Sequence, residues 1–204
     1  MKKITDGVYC FRGMPASTVF LITEGDGLTL VDAGMPNAPN KIVRQMKKAG
    51  HVPAQITRIL ITHSHMDHIG GLRDMKAITG GKVICSEGEK QAVEAEAPVD
   101  QVVEDGDTID GVLGGLEVIV TPGHTAGHTL YWQPERRILF VGDALMNWMN
   151  RLSLPFKKPT LDMDKAIESA RQIAELEPSI MCFGHGPAIL DNTTERLKEF
   201  IATV

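Results

Sequence analysis

His63-Ser64-His65-Met66-Asp67-His68 is the stretch on which the reading of this chain turns. Three imidazoles and a carboxylate fall within six residues, all nitrogen or oxygen donors suited to zinc, iron or manganese. They cannot all point at one ion without crowding. On a loop, His63 and His65 can project to one side while Asp67 and His68 project to another, an arrangement that suits two neighbouring ions. Gly70 and Gly71 follow, where the chain must turn tightly before the next helix. Just upstream, residues 58–62 (RILIT) read as a buried strand that ends abruptly in this His-rich segment.

Working outward, the same setting recurs. Gly123-His124-Thr125-Ala126-Gly127-His128 and Gly184-His185-Gly186 each follow a strand-like run, 116–120 and 179–183. Gly142-Asp143 closes another such run, 137–141. A lone His beside an apolar strand is usually a satisfied core or surface side chain, and His51 is read that way. The other six of the seven histidines lie in these motifs. The six-residue pattern alone arises by chance in a chain of this length in well below about one case in a thousand.

The remaining runs set the organisation. Residues 8–11, 17–22 and 28–31 read as an antiparallel meander, followed by a helix over 37–49 with Ile42, Val43 and Met46 on one face. A short helix is expected over 72–78, a strand over 82–85 and an exposed helix over 87–96. In the second half, strands are expected over 99–103, 116–120, 129–133 and 137–141. Helices follow over 162–176 and 193–201, with the strand 179–183 between them. Two comparable halves of this kind suggest two packed sheets with helices outside, and the pattern alone leaves other α/β arrangements open. No linker or composition break divides the chain, so residues 1–204 are read as a single domain.

Composition narrows the function. With 43% hydrophobic and 23% charged residues the chain is an ordinary globular one. A net charge of −5 and the lack of a basic face argue against a nucleic-acid partner. No apolar run reaches the roughly 18–20 residues that span a bilayer, so no membrane partner is expected. Met1-Lys2-Lys3 is followed by Ile4-Thr5-Asp6-Gly7 rather than by an apolar signal segment, and the expected location is cytoplasmic. Cys10, Cys85 and Cys182 are odd in number and far apart, which implies neither a disulfide framework nor a thiolate metal site. Cys85 and Cys182 sit in apolar runs and are read as inert core thiols.

In their order along the chain, Val31-Asp32-Ala33-Gly34, the 63–68 motif, Thr121-Pro122-Gly123-His124-Thr125, Gly142-Asp143 and Gly184-His185 resemble the metallo-β-lactamase superfamily. The resemblance covers nearly the whole chain and implies an αββα four-layer sandwich with a metal centre at one edge of the sheets. Carried over motif by motif, it implies one divalent ion on His63, His65 and His124 and a second on Asp67, His68 and His185. Asp143 would bridge the two together with a hydroxide that attacks the substrate carbonyl. Zinc is the expected metal, with manganese or iron as alternatives. Asp67 and Asp143 are the expected catalytic carboxylates, Asp67 orienting the nucleophile or passing a proton. Asp32 matches the family's early Asp, which supports the ligand loop, with a turn-capping role as its other reading. His128 is assigned to support of the ligands rather than to the metal.

The implied activity is cleavage of a small ester, thioester or lactone. β-Lactamases of this fold usually carry a secretion signal and many have Cys in place of the bridging Asp, whereas here no such signal is expected and the matching position is Asp143. Glyoxalase II-like thioesterases and acyl-homoserine lactonases share the ligands. The segment Ala144-Leu145-Met146-Asn147-Trp148-Met149-Asn150-Arg151 matches neither, so the subfamily stays open. A mononuclear iron enzyme resembling persulfide dioxygenases and a non-catalytic metal-binding domain are the alternatives. The loop 144–159 is the expected specificity element. Its Met146, Trp148, Met149, Leu154 and Phe156, joined by Met14, Met35 and Met66, would line an apolar pocket for a small-molecule substrate. Arg151, Lys157 and Lys158 would meet an anionic end of it. The competing use of the apolar residues is core packing or a homodimer contact.

Overall fold

In the computed structural model, which describes residues 1–23 and 25–204, short apolar strands serve two cores at once. Along 20–22, Phe20 and Ile22 face one cluster and Leu21 the other. Along 59–61, Leu60 faces the first of these clusters while Ile59 and Ile61 face the second. Strands buried on both faces belong in the middle of a layered structure, which is where these lie.

Strands β1 (Lys2–Thr5), β2 (Val8–Cys10), β3 (Phe20–Ile22), β4 (Leu28–Val31), β5 (Ile56–Leu60), β6 (Lys82–Ser86) and β7 (Gln101–Val103) form one sheet in chain order. Pairing is antiparallel from β1 to β4 and parallel from β4 to β7. The parallel half requires crossovers, supplied by α1 (Ala38–Lys48), the short α2 (Met66–Ile69) with α3 (Leu72–Thr79), and α4 (Glu87–Glu94). The second sheet has the order β14-β11-β10-β9-β8. Its members are β8 (Thr108–Ile109), β9 (Leu116–Val120), β10 (Thr129–Gln133), β11 (Ile138–Gly142) and β14 (Ile180–Phe183). β14 runs parallel to β11 and the other pairs are antiparallel. A separate hairpin joins β12 (Met146–Trp148) to β13 (Arg151–Ser153), and α5 (Met163–Glu175) and α6 (Thr193–Ile201) complete the chain.

Three apolar clusters give the expected αββα order. Leu21, Leu30, Ile59 and Val83 pack against Ile42, Met46, Met75 and Val93 of the first helical layer. Between the sheets, Phe20, Val31, Leu60 and Ile84 meet Val118, Tyr131, Ile138 and Phe140. On the far side, Leu130, Leu139, Val141 and Phe183 pack against Ala170, Ile173 and Leu197. Cys85 and Cys182 lie in these cores as read, and burial pushes the Cys85 thiol up to about 12.

Four local expectations are corrected. The helix at 87–94 is not simply exposed, because Glu89 and Val93 are buried. Asp67 and His68 stand on a helical turn rather than an open loop. β1, β8 and the β12–β13 hairpin, of two to four residues each, were too short to show a period. Met146 is buried, and Met14 and Leu154 pack against core clusters, so these three leave the supposed apolar pocket.

Phe140 lies between the sheets with its ring edge-on to Phe20, centroids 5.6 Å apart. Truncation to Ala should cost about 3–5 kcal/mol, since a cavity at this seam cannot collapse onto two rigid sheets. Equilibrium denaturation measures it, and a loss below about 1 kcal/mol would show that the seam is not close-packed.

Candidate metal centre

Each motif begins just past the end of a strand, and the parallel pairs bring those ends to one edge of the sandwich. Asp32 follows β4 and His63 follows β5, its parallel neighbour; Asp143 follows β11 and His185 follows β14, likewise parallel. His124 follows β9. Hydrogen bonds close the seam between the sheets there: Thr129 N–H to Thr62 O at 2.8 Å, Tyr131 Oη to Ile61 O at 2.7 Å and Thr18 N–H to Gly184 O at 2.7 Å.

All seven expected ligands meet at this edge. Donor atoms lie within 4.8 Å of one another in three groups: His63, His65 and His124; His63, His68 and Asp143; Asp67, His68 and His185. The Asp143 carboxylate stands in the middle, 3.0 Å from His185 Nε2, 3.4 Å from His68 Nε2, 3.6 Å from His124 Nε2 and 3.9 Å from His63 Nε2. Asp67 lies beside His185, Oδ2 to Nε2 at 3.2 Å, and its backbone carbonyl accepts from the Ser17 hydroxyl.

Hydrogen bonds on the outer ring nitrogens set the tautomers. His68 Nδ1–H donates to Asp32 Oδ2 at 2.7 Å. The Thr62 hydroxyl donates to Asp32 Oδ2 at 2.9 Å and accepts from His63 Nδ1–H at 3.1 Å. One carboxylate therefore orients two rings, which favours the supporting role of Asp32 over simple turn capping. His124 Nδ1–H donates to Thr160 Oγ1 at 3.0 Å, and Thr160 donates on to Phe156 O at 2.8 Å. The inner nitrogens are left over: Nε2 of His63, His68 and His124, and Oδ1 of Asp143, are buried without a hydrogen-bond partner among the described residues. Four orphaned buried acceptors turned on one point are costly unless something positive sits there, so the donor set fits a divalent cation.

Steric detail keeps the space open. A Cβ on Gly184 would come within 2.2 Å of Asp143 Oδ1 and 2.7 Å of His68 Cε1. Gly142 has φ +52°, and a side chain there would strike His128 Nε2 at 2.6 Å. That nitrogen accepts from Asp143 N–H at 3.0 Å while Nδ1 of the same ring meets Thr121 Oγ1 at 2.9 Å. His128 thus holds the Asp143 backbone, the supporting place expected for it.

Sequence reasoning passed over Thr62 and Thr160, whose hydroxyls orient ligand candidates, and the buried Glu89. Two threonines among polar neighbours give no pattern to find. Glu89 was hidden by a helix whose neighbours Glu87, Gln91 and Glu94 read as solvated.

The fold just described is that of the metallo-β-lactamases. The family model for the metallo-β-lactamase superfamily matches residues 12–185, and the chain belongs to that superfamily. A metallo-β-lactamase from Pontibacter korlensis superposes with a TM-score of 0.79 at 20% identity, covering 98% of this chain and 96% of that one. A probable metallo-hydrolase, YybB, of Bacillus subtilis (strain 168) is 28% identical over 203 residues, covering 92% of this chain and 88% of the relative. Hydroxyacylglutathione hydrolase of Maricaulis maris (strain MCS10) is 36% identical over 126 residues, 62% of this chain and 46% of that protein. The chain thus spans about half the length of that last relative. Membership supports a metal-binding hydrolase. Among the described residues no helix is long and apolar enough to cross a membrane.

Electrostatics divides the rings. Burial pushes His124 down to about 4 and His128 down to about 3, and it holds His63 well below its ordinary value. For His185 burial acts the same way, but hydrogen bonds to Asp143 and Asp67 outweigh it and lift the ring to about 9. Asp143 is held well below the carboxylate range: burial opposes this, and His68, His185 and His63 overcome it. In metal-free protein the raised His185 contributes stability that is full below its unfolded value near 6.5 and lost as pH rises towards 9. The depressed His124 and His128 cost stability as pH falls from 6.5 towards 4 and 3. Thermal melts of metal-free protein across pH should therefore decline on both sides. His185→Ala should lessen only the alkaline decline, which His185 shares with His68, a ring whose burial is likewise outweighed, by Asp143 and Asp32. An alkaline decline unaltered by that substitution would remove His185 from the account.

Proposed function

We propose that this chain is a binuclear metal-dependent hydrolase that cleaves a small ester, thioester or lactone. The observation that carries the proposal is the completeness of the donor set: seven inward-facing ligand candidates with Asp143 at their centre. His63, His65 and His124 would hold one ion, Asp67, His68 and His185 the other, and Asp143 would touch both, with zinc the expected metal. Divalent ions held there supply the positive charge that lets water act as a nucleophile near neutral pH and that polarises a carbonyl.

The chain's own residues do the rest. Asp67 is the partly exposed carboxylate of the set, at the solvent side beside His185. Its carboxyl is held below its ordinary value: burial opposes, and the His185 hydrogen bond with the His68 charge prevails. It therefore stays ionised, with Oδ2 turned towards His68 and His185, and can orient the attacking water or pass its proton on while it remains a ligand. Asp143, buried and carrying the cluster's central negative charge, fixes the separation of the two donor groups. A cleft of about 460 Å³ opens beside the centre, bordered by His65, His124, Thr125, Lys158, Thr160 and Leu161. Its size fits a small-molecule substrate, and Lys158 stands where an anionic end would lie. Hydroxyacylglutathione hydrolases among the relatives support a thioester as the first substrate class to try. Three free thiols fit a reducing cytoplasmic setting.

The apolar rim supports an acyl or aromatic substrate group. Asn147 N–H bonds His185 O at 3.0 Å, which ties the β12–β13 hairpin to the His185 loop, and the exposed Trp148 is the next residue of that hairpin. Phe156 is tied through Thr160 to His124, and the two rings meet edge to face at 6.1 Å. Met149, 84% exposed, sits with Asn150 at positive φ in the two-residue turn between β12 and β13. A bulky residue held in a left-handed conformation at an exposed tip is strained, and such strain collects at functional rims.

Elemental analysis of purified protein should find about two zinc or manganese ions per chain; about one iron would favour a dioxygenase instead. His63→Ala or Asp143→Ala should leave a folded domain and lower kcat/KM by about two to three orders of magnitude or more. A rate on a good substrate that survives either change would overturn the assignment. Trp148→Ala should cost long-chain acyl substrates about tenfold more than acetyl ones. An unchanged profile across chain lengths would take the rim out of substrate recognition.

A further inference from the structure

Resting on that reading, we infer that Glu89 is a positioning residue that sets the spacing of one ion site, that of His63, His65 and His124, and leaves the other alone. Glu89 is 1% exposed on α4, a helix that contributes none of the seven ligand candidates. Its two oxygens serve two different loops. Oε2 accepts from the backbone N–H of Ser64, between His63 and His65, at 2.8 Å. Oε1 accepts from Thr125 Oγ1 at 2.6 Å and from Gly127 N–H at 2.8 Å, both in the loop that carries His124.

The junction of β6 and α4 presses the same joint. The Ser86 hydroxyl donates to Gly127 O, and a Cβ on Gly88 would fall 2.7 Å from Gly127 Cα. Backbone meets backbone there, so the helix cannot slide and the carboxylate cannot drift. The three imidazoles concerned come from different sheets, two after β5 and one after β9. Among the described residues the sheets share no ladder there, only single backbone bonds such as Thr129 N–H to Thr62 O. A carboxylate with one oxygen on each loop fixes their separation. Asp67, His68 and His185 take their support elsewhere, from Asp32, Ser17 and the Gly184 contacts, and none of their hydrogen bonds reaches Glu89.

Glu89→Gln keeps the size and shape of the side chain but turns one terminal atom into a donor. That donor must face either Ser64 N–H or the Thr125–Gly127 pair, so one arm of the clamp opens. The test titrates metal-free protein with cobalt against a competing chelator in two backgrounds. With His185→Ala, which leaves the His63/His65/His124 site, Glu89→Gln should weaken cobalt binding about 10–100-fold. With His124→Ala, which leaves the other site, the change should stay within about threefold. Thr125→Val, which removes one of the three donors, should act in the same direction and less strongly; it carries the comparison if Glu89→Gln does not fold. Equal losses in both backgrounds, with a lowered melting temperature of the metal-free protein, would make Glu89 general scaffolding and overturn the inference. No loss in either would overturn it too. The His124→Ala and His185→Ala proteins separately report on the two-ion reading, since each must lose one ion whatever Glu89 does.

Discussion

The hydrogen bonds accepted by Asp32 are the constraint on which the centre depends. This single buried carboxylate takes the Nδ1–H of His68 directly and that of His63 through the Thr62 hydroxyl, and it also takes the Thr62 backbone N–H at 2.9 Å. With those outer nitrogens occupied, both rings have only Nε2 to offer inward. Asp32 itself sits at φ +64°, a conformation that a short polar side chain tolerates better than most. The strained turn after β4 and the ring orientation after β5 are thus one device. His68 O closes it by accepting from the N–H groups of Ala33 and Gly34.

Much of this was legible in the sequence because the chemistry is concentrated. Three imidazoles and a carboxylate within six residues leave few structural readings, and the apolar runs before each motif reveal that strands deliver them. Two packed sheets were suggested by the alternation of strand and helix runs, and the αββα order by the family resemblance. Strands such as 59–61, apolar on both faces, fit it. What escaped was dispersed. Glu89 is distinguished from Glu87 and Glu94 only by which way its helix turns against the 124–128 loop. Thr160 acts on His124 from 36 residues away, across a fold that must exist before the pair does. The β12–β13 hairpin reads as loop because three-residue strands carry no period and its turn uses Met149 where Gly or Asn would signal one.

The support around the centre is divided between carboxylates of different reach. Asp32 orients rings individually and holds its own helix-bearing loop, whereas Glu89 spans from one sheet's loop to the other's. The rim is tied in separately: Thr160 joins the 156–161 segment to His124, and Asn147 joins the hairpin to His185 through backbone bonds. Changes in the exposed side chains at 148, 149, 156 and 161 leave those ties intact. A scaffold arranged this way can vary what it recognises while its donor geometry stays put.

The ligand candidates are shared between the two sheets: four follow β5 in one, and three follow β9, β11 and β14 in the other. Any cation bound among them is therefore a clasp across the seam of the sandwich, stabilising the folded chain by mass action in proportion to its supply. Metal scarcity would then act first on how long the protein lasts, since chains with an open seam unfold more often and are cleared sooner.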